Sequence, residues 1–325
     1  MMDKAIINFP EQFKFEPVIV GDWQLVKYQT YIICGMGGSH LAADVLKLLR
    51  PELNLVIHSD YGLPPVTSEV LKNSLVIISS YSGNTEEAID GFKAAQAQKL
   101  KVAVMAVGGQ LIELAKENKV PYVALPDIGI QPRSALGFSL RALLKIINDE
   151  ELLTDTLKLS EQLNSVELQN QGQELAEQTK EMAPVIYASA RNYALAYNWK
   201  IKLNETGKIP AFYNLLPELN HNEMNGFDYN ENSQDLAKKF VFIMLKDGQD
   251  NARIIKRMEV LTNLLTRREL PVLTIELKGE NKLEAIFNNL LLADWLAYYT
   301  ALQYGTDPEP VPMVEEFKKL MANGS

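Results

Sequence analysis

The chain has 325 residues, of which 47% are apolar and 22% charged, and its formal net charge at pH 7 is −9. This length suits two domains that each bury a core, and the composition excludes collagen-like, disordered and low-complexity proteins. The acidic balance argues against a broad nucleic-acid surface, so an anionic ligand must be held locally, by backbone amides, hydroxyls and a few cations.

Three features bear on the compartment. Asp3, Lys4 and Glu11 interrupt the apolar residues at the amino terminus, so we predict no signal peptide. Cys34 is the only cysteine, which excludes an intrachain disulfide and predicts a buried, inert thiol. The apolar stretch from Leu290 to Leu302 is shorter than the roughly 20 residues of a membrane span, so we predict a buried or interface helix. We expect a cytoplasmic protein that does not bind membranes.

Strand-like runs alternate with helical patterns through the first half of the chain. The predicted strands are Tyr31 to Cys34, Leu55 to His58, Leu75 to Ser79, Val102 to Val107 and Tyr122 to Leu125. The predicted crossover helices are Leu41 to Leu49, Thr85 to Gln98 and Leu111 to Asn118. This order indicates a doubly wound parallel sheet, in which loops at the carboxyl ends of strands converge on one crevice.

Two of these loops have the composition of a phosphate site. Gly37, Gly38 and Ser39 follow the first predicted strand, although such glycines often serve only close backbone packing. Ser80, Ser82 and Thr85 crowd the turn after the third strand, where the N–H groups of a starting helix favour an anion. Thr85 or Asn84 could instead be an ordinary helix cap. Both loops together predict a pocket for one phosphate.

Arg133 lies beyond the fifth predicted strand and so at the same edge of the sheet. It could pair with a surface carboxylate or supply a planar cation to an anionic substrate. His40, directly after Ser39, could narrow the glycine loop or reach the ligand, or begin the helix with its ring in solvent.

The second half repeats the α/β pattern without repeating the loops. Strand-like runs at Val185 to Ala188, Phe240 to Leu245 and Val272 to Leu277 follow a stretch without strand signals, so we predict domains at 1–152 and 153–325. His221 lies in a polar segment and is a candidate general acid or base. Glu223 is near it, but no second histidine has a ligand-like spacing, so we predict no metal.

These segments resemble the bifunctional phosphoglucose/phosphomannose isomerases, a family of the sugar isomerase, or SIS-domain, superfamily. The residues that carry the resemblance are Gly35 to Ser39, Ser80 to Thr85, Pro132-Arg133, Asn204-Glu205, Leu219 to Asn222 and Asp307 to Lys318. The hydroxyl segment is common to many sugar-phosphate domains, whereas the His221 segment and the carboxyl-terminal lysine are narrower. His40 departs from the pattern, which has a small residue there.

The resemblance implies an α/β protein of two tandem, flavodoxin-like domains that interconverts glucose 6-phosphate, and mannose 6-phosphate, with fructose 6-phosphate without a cofactor. The residues that it assigns to the phosphate are Gly37, Gly38, Ser39, Ser80, Ser82 and Thr85. It implies that Glu205 moves a proton between C1 and C2 and that Arg133 steadies the cis-enediolate. His221, from the partner subunit of a homodimer, and Lys318 would open the sugar ring. Lys319 is adjacent, and a shift of register would exchange the two lysines.

Three alternatives stay open. The same cradle would serve a non-catalytic sugar-phosphate sensor, although the chain has no basic helix-turn-helix segment. It would also serve an isomerase of another phosphosugar, because discrimination between epimers depends on fine pocket shape. A dinucleotide enzyme is suggested by Gly35 to Gly37 and by Asp60, but position 40 is His rather than Gly or Ala.

Overall fold

The computed structural model describes residues 2–24 and 26–322, and the chain divides into two compact units. The N-terminal unit comprises Ile7–Asn164 and Asn281–Glu284. The C-terminal unit comprises Ser165–Glu280, Ala285–Ser325 and Met1–Ile6. The division along the chain thus follows Asn164 rather than residue 152, and the first residues belong with the second half.

The N-terminal unit is built on a six-stranded sheet. Its strands are β1 (Ile19–Val20), β2 (Thr30–Cys34), β3 (Leu55–His58), β4 (Ser74–Ser79), β5 (Lys101–Ala106) and β6 (Tyr122–Ala124), in the order β1-β6-β5-β4-β2-β3. The five strands from β2 to β6 are parallel and have the flavodoxin-like order, which confirms the predicted fold. The short β1 adds an antiparallel edge that was not predicted.

Helices cover both faces of this sheet. They are α2 (Leu41–Leu49), α3 (Ser68–Lys72), α4 (Glu86–Ala97), α5 (Gly109–Glu117), α6 (Leu136–Ile147) and α7 (Glu150–Gln162). Alternate strand residues such as Ile32, Val76 and Val104 pack against Phe92 of α4 and Leu111 of α5. α6 contacts α2 and β5, and the 3-10 turn Phe9–Lys14 contacts α6 and α7. The core therefore lies against a fully buried β4.

The C-terminal unit has a four-stranded parallel sheet. Its strands are β7 (Ala183–Ser189), β8 (Phe212–Leu216), β9 (Phe240–Lys246) and β10 (Val272–Glu276), in the order β10-β9-β7-β8. This order repeats that of the first four parallel strands of the N-terminal unit. The edge strand β8 was not predicted, because Phe212 and Tyr213 are exposed and no continuous apolar run marks it.

The remaining helices are α1 (Met2–Ile7), α8 (Gln169–Gln178), α9 (Tyr193–Glu205), α10 (Gln234–Ala237), α11 (Ala252–Thr266), α12 (Lys282–Gln303) and α13 (Pro312–Ala322). α11 packs on one face of the sheet, through Leu261 against Phe242 and Met244. Trp199 of α9 donates to Asn289 of α12, 2.8 Å away. The predicted apolar helix lies within α12 and is largely buried. Among the described helices none is long and apolar enough to cross a membrane.

Candidate active site

The two glycine and hydroxyl loops meet in the N-terminal unit. β2 lies between β3 and β4, so the loops after β2 and β4 open at the point where the strand order reverses. The backbone N–H of Tyr81 donates to Ser39 Oγ at 2.9 Å. The Ser79 hydroxyl donates to the carbonyl oxygen of Ser39 at 2.6 Å. These two bonds join the loops into one structure.

Glycine is needed at two positions for steric reasons. A Cβ on Gly38 would lie 2.9 Å from the backbone nitrogen of Arg133, so only glycine lets the first loop approach that residue. Gly83 has φ +69°, and its Cβ would lie 1.8 Å from the carbonyl oxygen of Gly108. Gly37 and Gly38 form a single 3-10 turn with Ser39. The glycines thus shape the loops and leave the polar contacts to serines.

The second loop is held by its own hydroxyls. Ser80 Oγ lies 2.8 Å from Thr85 Oγ1 and accepts from the N–H of Gly83 at 3.1 Å. Ser82 Oγ accepts from the N–H of Asn84 at 3.3 Å. Thr85 precedes α4, but its hydroxyl makes no capping bond to the helix. Thr85 therefore occupies the N-cap position of α4 without capping the helix through its side chain.

The direction of these bonds decides what the loops can bind. A serine hydroxyl has one hydrogen to donate and two lone pairs that accept. Ser39, Ser80 and Ser82 each accept from a backbone N–H, so their hydroxyl hydrogens can be donated to an anion. Burial, and then Asp127, raise the pKa of the Tyr81 phenol to about 12, so this residue of the loop carries no charge at pH 7. The loops offer neutral donors.

Arg133 lies beside the first loop, on the buried 3-10 turn Pro132–Ser134. Gln12, which the sequence did not single out, holds this turn. Its amide nitrogen donates to the carbonyl oxygen of Ser134 at 2.6 Å, and its amide oxygen accepts from the N–H of Gly137 at 3.0 Å. Gln12 is far away in sequence, and nothing local in the chain indicates this contact.

The His40 ring is buried, so the alternative that placed it in solvent is wrong. Its Nδ1 lies 2.7 Å from Oδ2 of Asp44, which is also buried, one turn along α2. The pair fixes the start of α2 directly after Ser39. Asp44 at position i+4 of a helix could have been paired with His40 from the sequence.

Glu205 is the last residue of α9 in the C-terminal unit and is half-buried. Lys208 donates both to the backbone oxygen of Glu205 and to that of Pro310. Asn204 donates to the carbonyl oxygen of Ile209 at 3.0 Å. The end of α9 and the start of the segment before α13 are therefore tied together through Lys208.

His221 is exposed and ends the 3-10 turn Glu218–His221, which follows β8. Its neighbours fix the turn, since Leu219 is fully buried and Asn222 donates to Glu218 at 2.8 Å. Glu223 accepts from Tyr187 Oη at 2.6 Å and from the side chain of Asn214. Burial, then Glu223, raise the pKa of Tyr187 above its usual range, so the phenol stays a donor. His221 is thus an exposed histidine on a turn that its neighbours hold in place.

Within one chain, Glu205 and His221 lie at opposite ends of the strands of the C-terminal sheet. β7 and β8 are parallel and α9 connects them, so α9 runs from the carboxyl edge of the sheet back to its amino edge. Glu205 at its end lies at the amino edge, whereas His221 follows the carboxyl end of β8. A helix of this length spans about 20 Å. The fold does not bring the two residues together in one unit.

Lys318 lies on α13, with its amine 2.9 Å from Glu315 Oε1 one turn earlier. It is 65% exposed. Among residues 2–24 and 26–322, no cluster of three acidic, histidine or cysteine side chains is placed to hold a metal ion.

Comparisons with known proteins identify the family of this chain. A family model described as the bacterial phospho-glucose isomerase C-terminal SIS domain matches residues 168–321. A protein of Aquifex aeolicus named bifunctional phosphoglucose/phosphomannose isomerase is 33% identical over 97% of this chain and 97% of its own length. The chain belongs to the bifunctional phosphoglucose/phosphomannose isomerase family. This family was predicted from the two loops and from the segments that contain Arg133, Glu205, His221 and Lys318.

Two further similarities show how widely this architecture is used. A protein of Sulfolobus acidocaldarius named D-glucosamine-6-phosphate 4-epimerase is 31% identical over 62% of this chain and 64% of its own. A crystal structure of glucosamine-6-phosphate deaminase from Thermotoga maritima superposes with a TM-score of 0.69, 15% identity and coverage of 96% of this chain and 97% of the other. The second similarity supports the fold alone, because at that identity the site residues are free to differ.

Proposed function

We propose that the protein interconverts glucose 6-phosphate and mannose 6-phosphate with fructose 6-phosphate, without a cofactor. The observation that carries the proposal is the match along 97% of the chain to the Aquifex protein of that name. The two hydroxyl loops of the N-terminal unit, with Arg133 beside them, support it, because such donors suit the phosphate of a small sugar. The setting would be cytoplasmic carbohydrate metabolism, in glycolysis and gluconeogenesis.

The phosphate is held by Ser39, Ser80, Ser82 and Thr85, and Gly37 and Gly38 allow the first loop to come close. Each hydroxyl that already accepts from a backbone N–H is oriented to donate its hydrogen to a phosphate oxygen. Hydrogen bonds to a charged acceptor each contribute about 1.5–3 kcal/mol. Several of them anchor the substrate without a large positive field.

Glu205 transfers the proton between C2 and C1. Its carboxylate takes the C2 proton of the open-chain aldose, the C2–H electrons form the C1–C2 double bond, and the C1=O electrons move onto O1, which gives the cis-enediolate. The O2 proton then passes to O1, the electrons on O2 form the ketone at C2, and the electrons of the C1–C2 double bond take back the proton of Glu205 at C1. Arg133 steadies the negative charge of the cis-enediolate. Glucose and mannose phosphates differ only at C2, so both give the same enediol, which explains a single site for both.

His221 and Lys318 open the cyclic substrate by moving protons at the ring oxygen and the C1 hydroxyl. Glu205 and His221 of one chain lie at opposite edges of one sheet, which supports a homodimer in which His221 enters the site of the other chain. Around α13, Lys318 lies about 100° from Phe317, at the border of the apolar face, and Lys319 lies on the opposite face. This placement favours Lys318 over Lys319.

The activity is tested by following fructose 6-phosphate formation from glucose 6-phosphate and from mannose 6-phosphate. We expect the protein to convert both sugar phosphates to fructose 6-phosphate, and we expect no consumption of NAD. Glucosamine 6-phosphate and pentose phosphates complete the panel, since one relative is named for an amino sugar. Binding of hexose phosphates without any turnover would favour the sensor, and turnover of only another sugar would replace the substrate.

The shared site is tested by mixing two inactive variants, Glu205→Gln and His221→Ala, after dissociation and reassembly. Half of randomly formed dimers are mixed, and each mixed dimer has one complete site. About a quarter of the wild-type activity should therefore return. Activity that stays at the level of the separate variants would place both residues of a site in one chain.

A further inference from the structure

Helix α6 begins without a cap from its own segment. The residue before it, Ala135, has no side chain that could accept from the first N–H groups of the helix. Gln12 supplies this acceptor from the 3-10 turn Phe9–Lys14. Its Oε1 accepts from the N–H groups of Gly137 at 3.0 Å and Phe138 at 3.4 Å, which are the donors that a helix cap usually satisfies. A residue that is distant in sequence therefore caps α6.

The same amide also holds the 3-10 turn that precedes α6. Gln12 Nε2 donates to the carbonyl oxygen of Ser134 at 2.6 Å. Gln12 is 2% exposed, so water cannot replace these bonds if they are lost. The contacts need an acceptor and a donor in one group, which an amide has, whereas a carboxylate has no hydrogen to donate. Gln12 therefore joins the turn to the start of the helix.

Gly137 makes room for this amide. A Cβ at that position would lie 2.7 Å from Gln12 Cβ and 3.0 Å from Gln12 Oε1, so any larger residue would push the amide away. Glycine is among the least favourable residues inside a helix, so its presence in the first turn of α6 has a steric reason. The close fit of the two residues shows that the amide has one defined place.

The turn that Gln12 holds is also in contact with the first glycine loop. Arg133 lies between Pro132 and Ser134 and is buried. A Cβ on Gly38 would lie 2.9 Å from the backbone nitrogen of Arg133 and 3.0 Å from the carbonyl carbon of Pro132. The backbone of the turn is thus fixed at two points, by the glycine loop and by the amide of Gln12.

The hydroxyls of the two loops do not depend on this amide. Ser39 Oγ accepts from the backbone N–H of Tyr81, and Ser80 Oγ accepts from that of Gly83. These bonds lie within and between the loops after β2 and β4. Loosening of the turn should therefore move Arg133 and leave the phosphate donors in place.

We propose that Gln12 is a positioning residue of the isomerase, which fixes the backbone of Arg133 so that its guanidinium meets the negative charge of the enediolate. The inference rests on the proposed function, because the role of Arg133 is part of it. Displacement of a reacting or stabilising group by about 1 Å can lower a rate about 100-fold. Gln12 bonds the turn and α6, so it acts through Arg133.

The kinetic test uses Gln12→Met, which has a similar length and makes neither kind of hydrogen bond. With the full-length protein and glucose 6-phosphate, we expect kcat to fall about 100-fold and KM to stay within about 3-fold of the wild-type value. Loss of phosphate binding would instead raise KM. A wild-type kcat in this variant overturns the proposal, and so does a fall in kcat/KM that comes from KM alone.

Arg141→Met is the matched control for the loss of buried hydrogen bonds. Arg141 lies on α6 and is buried. It donates to the carbonyl oxygens of Phe15 and Leu153 and to the hydroxyl of Thr156, which all lie outside the 3-10 turn before α6. Both variants should lower the free energy of unfolding, whereas only Gln12→Met should lower kcat. A similar fall of kcat in both would give Gln12 a structural role alone and overturn the proposal.

Gln12→Glu tests the same idea with a smaller disturbance of the fold. At pH 8 its carboxylate still accepts from the first N–H groups of α6, where a negative charge is favourable, but it has no hydrogen for Ser134. Circular dichroism should therefore show a folded protein, and kcat should still fall. A folded Gln12→Glu with the kcat of the wild type would contradict the proposal.

A double variant tests whether Gln12 acts through Arg133. In Arg133→Gln the guanidinium is gone, so adding Gln12→Met should lower kcat by less than about 3-fold further. If the two losses multiplied in the double variant, Gln12 would act by another route and the proposal would be wrong.

Binding of two sugar phosphates separates the inference from the proposed function. 6-Phosphogluconate has a carboxylate at C1, close to where the enediolate charge develops, whereas sorbitol 6-phosphate has no charge there. By calorimetry we expect the wild type to prefer the carboxylate, and Gln12→Met to lose about 10-fold of that preference with unchanged affinity for sorbitol 6-phosphate. A wild type that shows this preference and a variant that loses it, without any fructose 6-phosphate formed, would keep the positioning role and remove the isomerase. An active protein whose preference is the same in Gln12→Met would overturn the inference alone.

Discussion

The two sheets reverse their strand order in the same way, yet the chemistry at the two reversal points is opposite. In the N-terminal unit, the hydroxyls of Ser39 and Ser80 accept from backbone N–H groups. In the C-terminal unit, the Ser189 hydroxyl donates to Asp250 Oδ1 at 2.8 Å, and Asn192 donates to Asp247 Oδ2 at 3.0 Å. At the reversal point of the N-terminal unit, the hydroxyl hydrogens can be donated to an anion. At the reversal point of the C-terminal unit, the hydroxyl and amide hydrogens are already donated to carboxylates.

This difference teaches that topology fixes where a ligand can bind and side chains decide whether it does. Both aspartates of the second point are buried. Burial, and then the charge of Asp247, raise the pKa of Asp250 above its usual value. A phosphate placed there would meet two carboxylates in a poorly solvated setting. We therefore expect one sugar phosphate per chain, at the first point.

The largest effect should come from placing a carboxylate at the reversal point of the N-terminal unit, where the C-terminal unit already has two. Ser80→Asp puts a carboxylate beside the phosphate, and like charges at this distance cost several kcal/mol. We expect kcat/KM for glucose 6-phosphate to fall about 1000-fold. Ser68→Asp, an exposed serine in the first turn of α3, is the matched control. If both variants had the same kcat/KM, the phosphate would not bind at this loop.

Gly83→Ala should break the loop itself. The residue has φ +69°, and the added Cβ would lie 1.8 Å from the carbonyl oxygen of Gly108. We expect a loss of about 2–3 kcal/mol in the free energy of unfolding of the N-terminal unit, measured in urea. Gly248→Ala, in the C-terminal unit, where nothing lies within 4 Å of the new Cβ, should change the free energy of unfolding of that unit little. Equal losses would mean that the turn is not constrained as described.

Ser82→Ala sharpens the comparison by removing one donor from an exposed position. Among the residues that the structure describes, the Ser82 hydroxyl accepts only from the backbone N–H of Asn84, at 3.3 Å, so the free energy of unfolding should hardly change. We expect KM to rise about 10-fold with kcat nearly constant, because a phosphate contact stabilises substrate and transition state alike. Ser68→Ala serves as the control. A fall in kcat at constant KM would instead assign Ser82 to the chemical step.

Asp250→Asn should have the smallest effect, and it depends on pH. A raised pKa means that folding favours the protonated acid, so the stability from this group is present at low pH and lost as the pH rises through the folded pKa. The neutral amide should therefore stabilise the protein by about 1 kcal/mol at pH 8, with less gain at pH 4.5. Asp22→Asn, an exposed site, should show no such trend. A gain that grows on acidification would contradict the sign.

The sequence predicted the elements whose pattern is local. Leu41 to Leu49 was predicted with the bounds that α2 has, because an apolar face and a glycine-rich turn mark it. β8 was missed because an exposed edge strand needs no apolar run. The division after Asn164 was also beyond reach, since the first helix packs with residues far along the chain, as the bond from Ser165 to Ile6 illustrates.

The candidate site divides in the same way. Ser39, Ser80 and Ser82 could be selected because strand, turn and helix signals place them at one sheet edge. The role of Gln12 could not, because a buried amide that holds Arg133's turn leaves no periodic signal. Glu205 and Lys318 were selected through the family resemblance, whereas His221 was already a candidate because it lies in a polar segment. The roles of all three in this chain stay predictions. Glu223, considered only as a metal ligand, proved to hold the His221 turn.

The most direct test of the account is the exchange of the C2 proton of glucose 6-phosphate with deuterated water, followed by NMR in the wild type and in Glu205→Gln. The account predicts deuterium at C2 with the wild-type protein and a rate at least about 100-fold lower in the variant, with sugar-phosphate binding retained. Deuterium incorporation at the wild-type rate in Glu205→Gln would contradict it, as would a wild-type protein that binds the sugar phosphate and exchanges nothing.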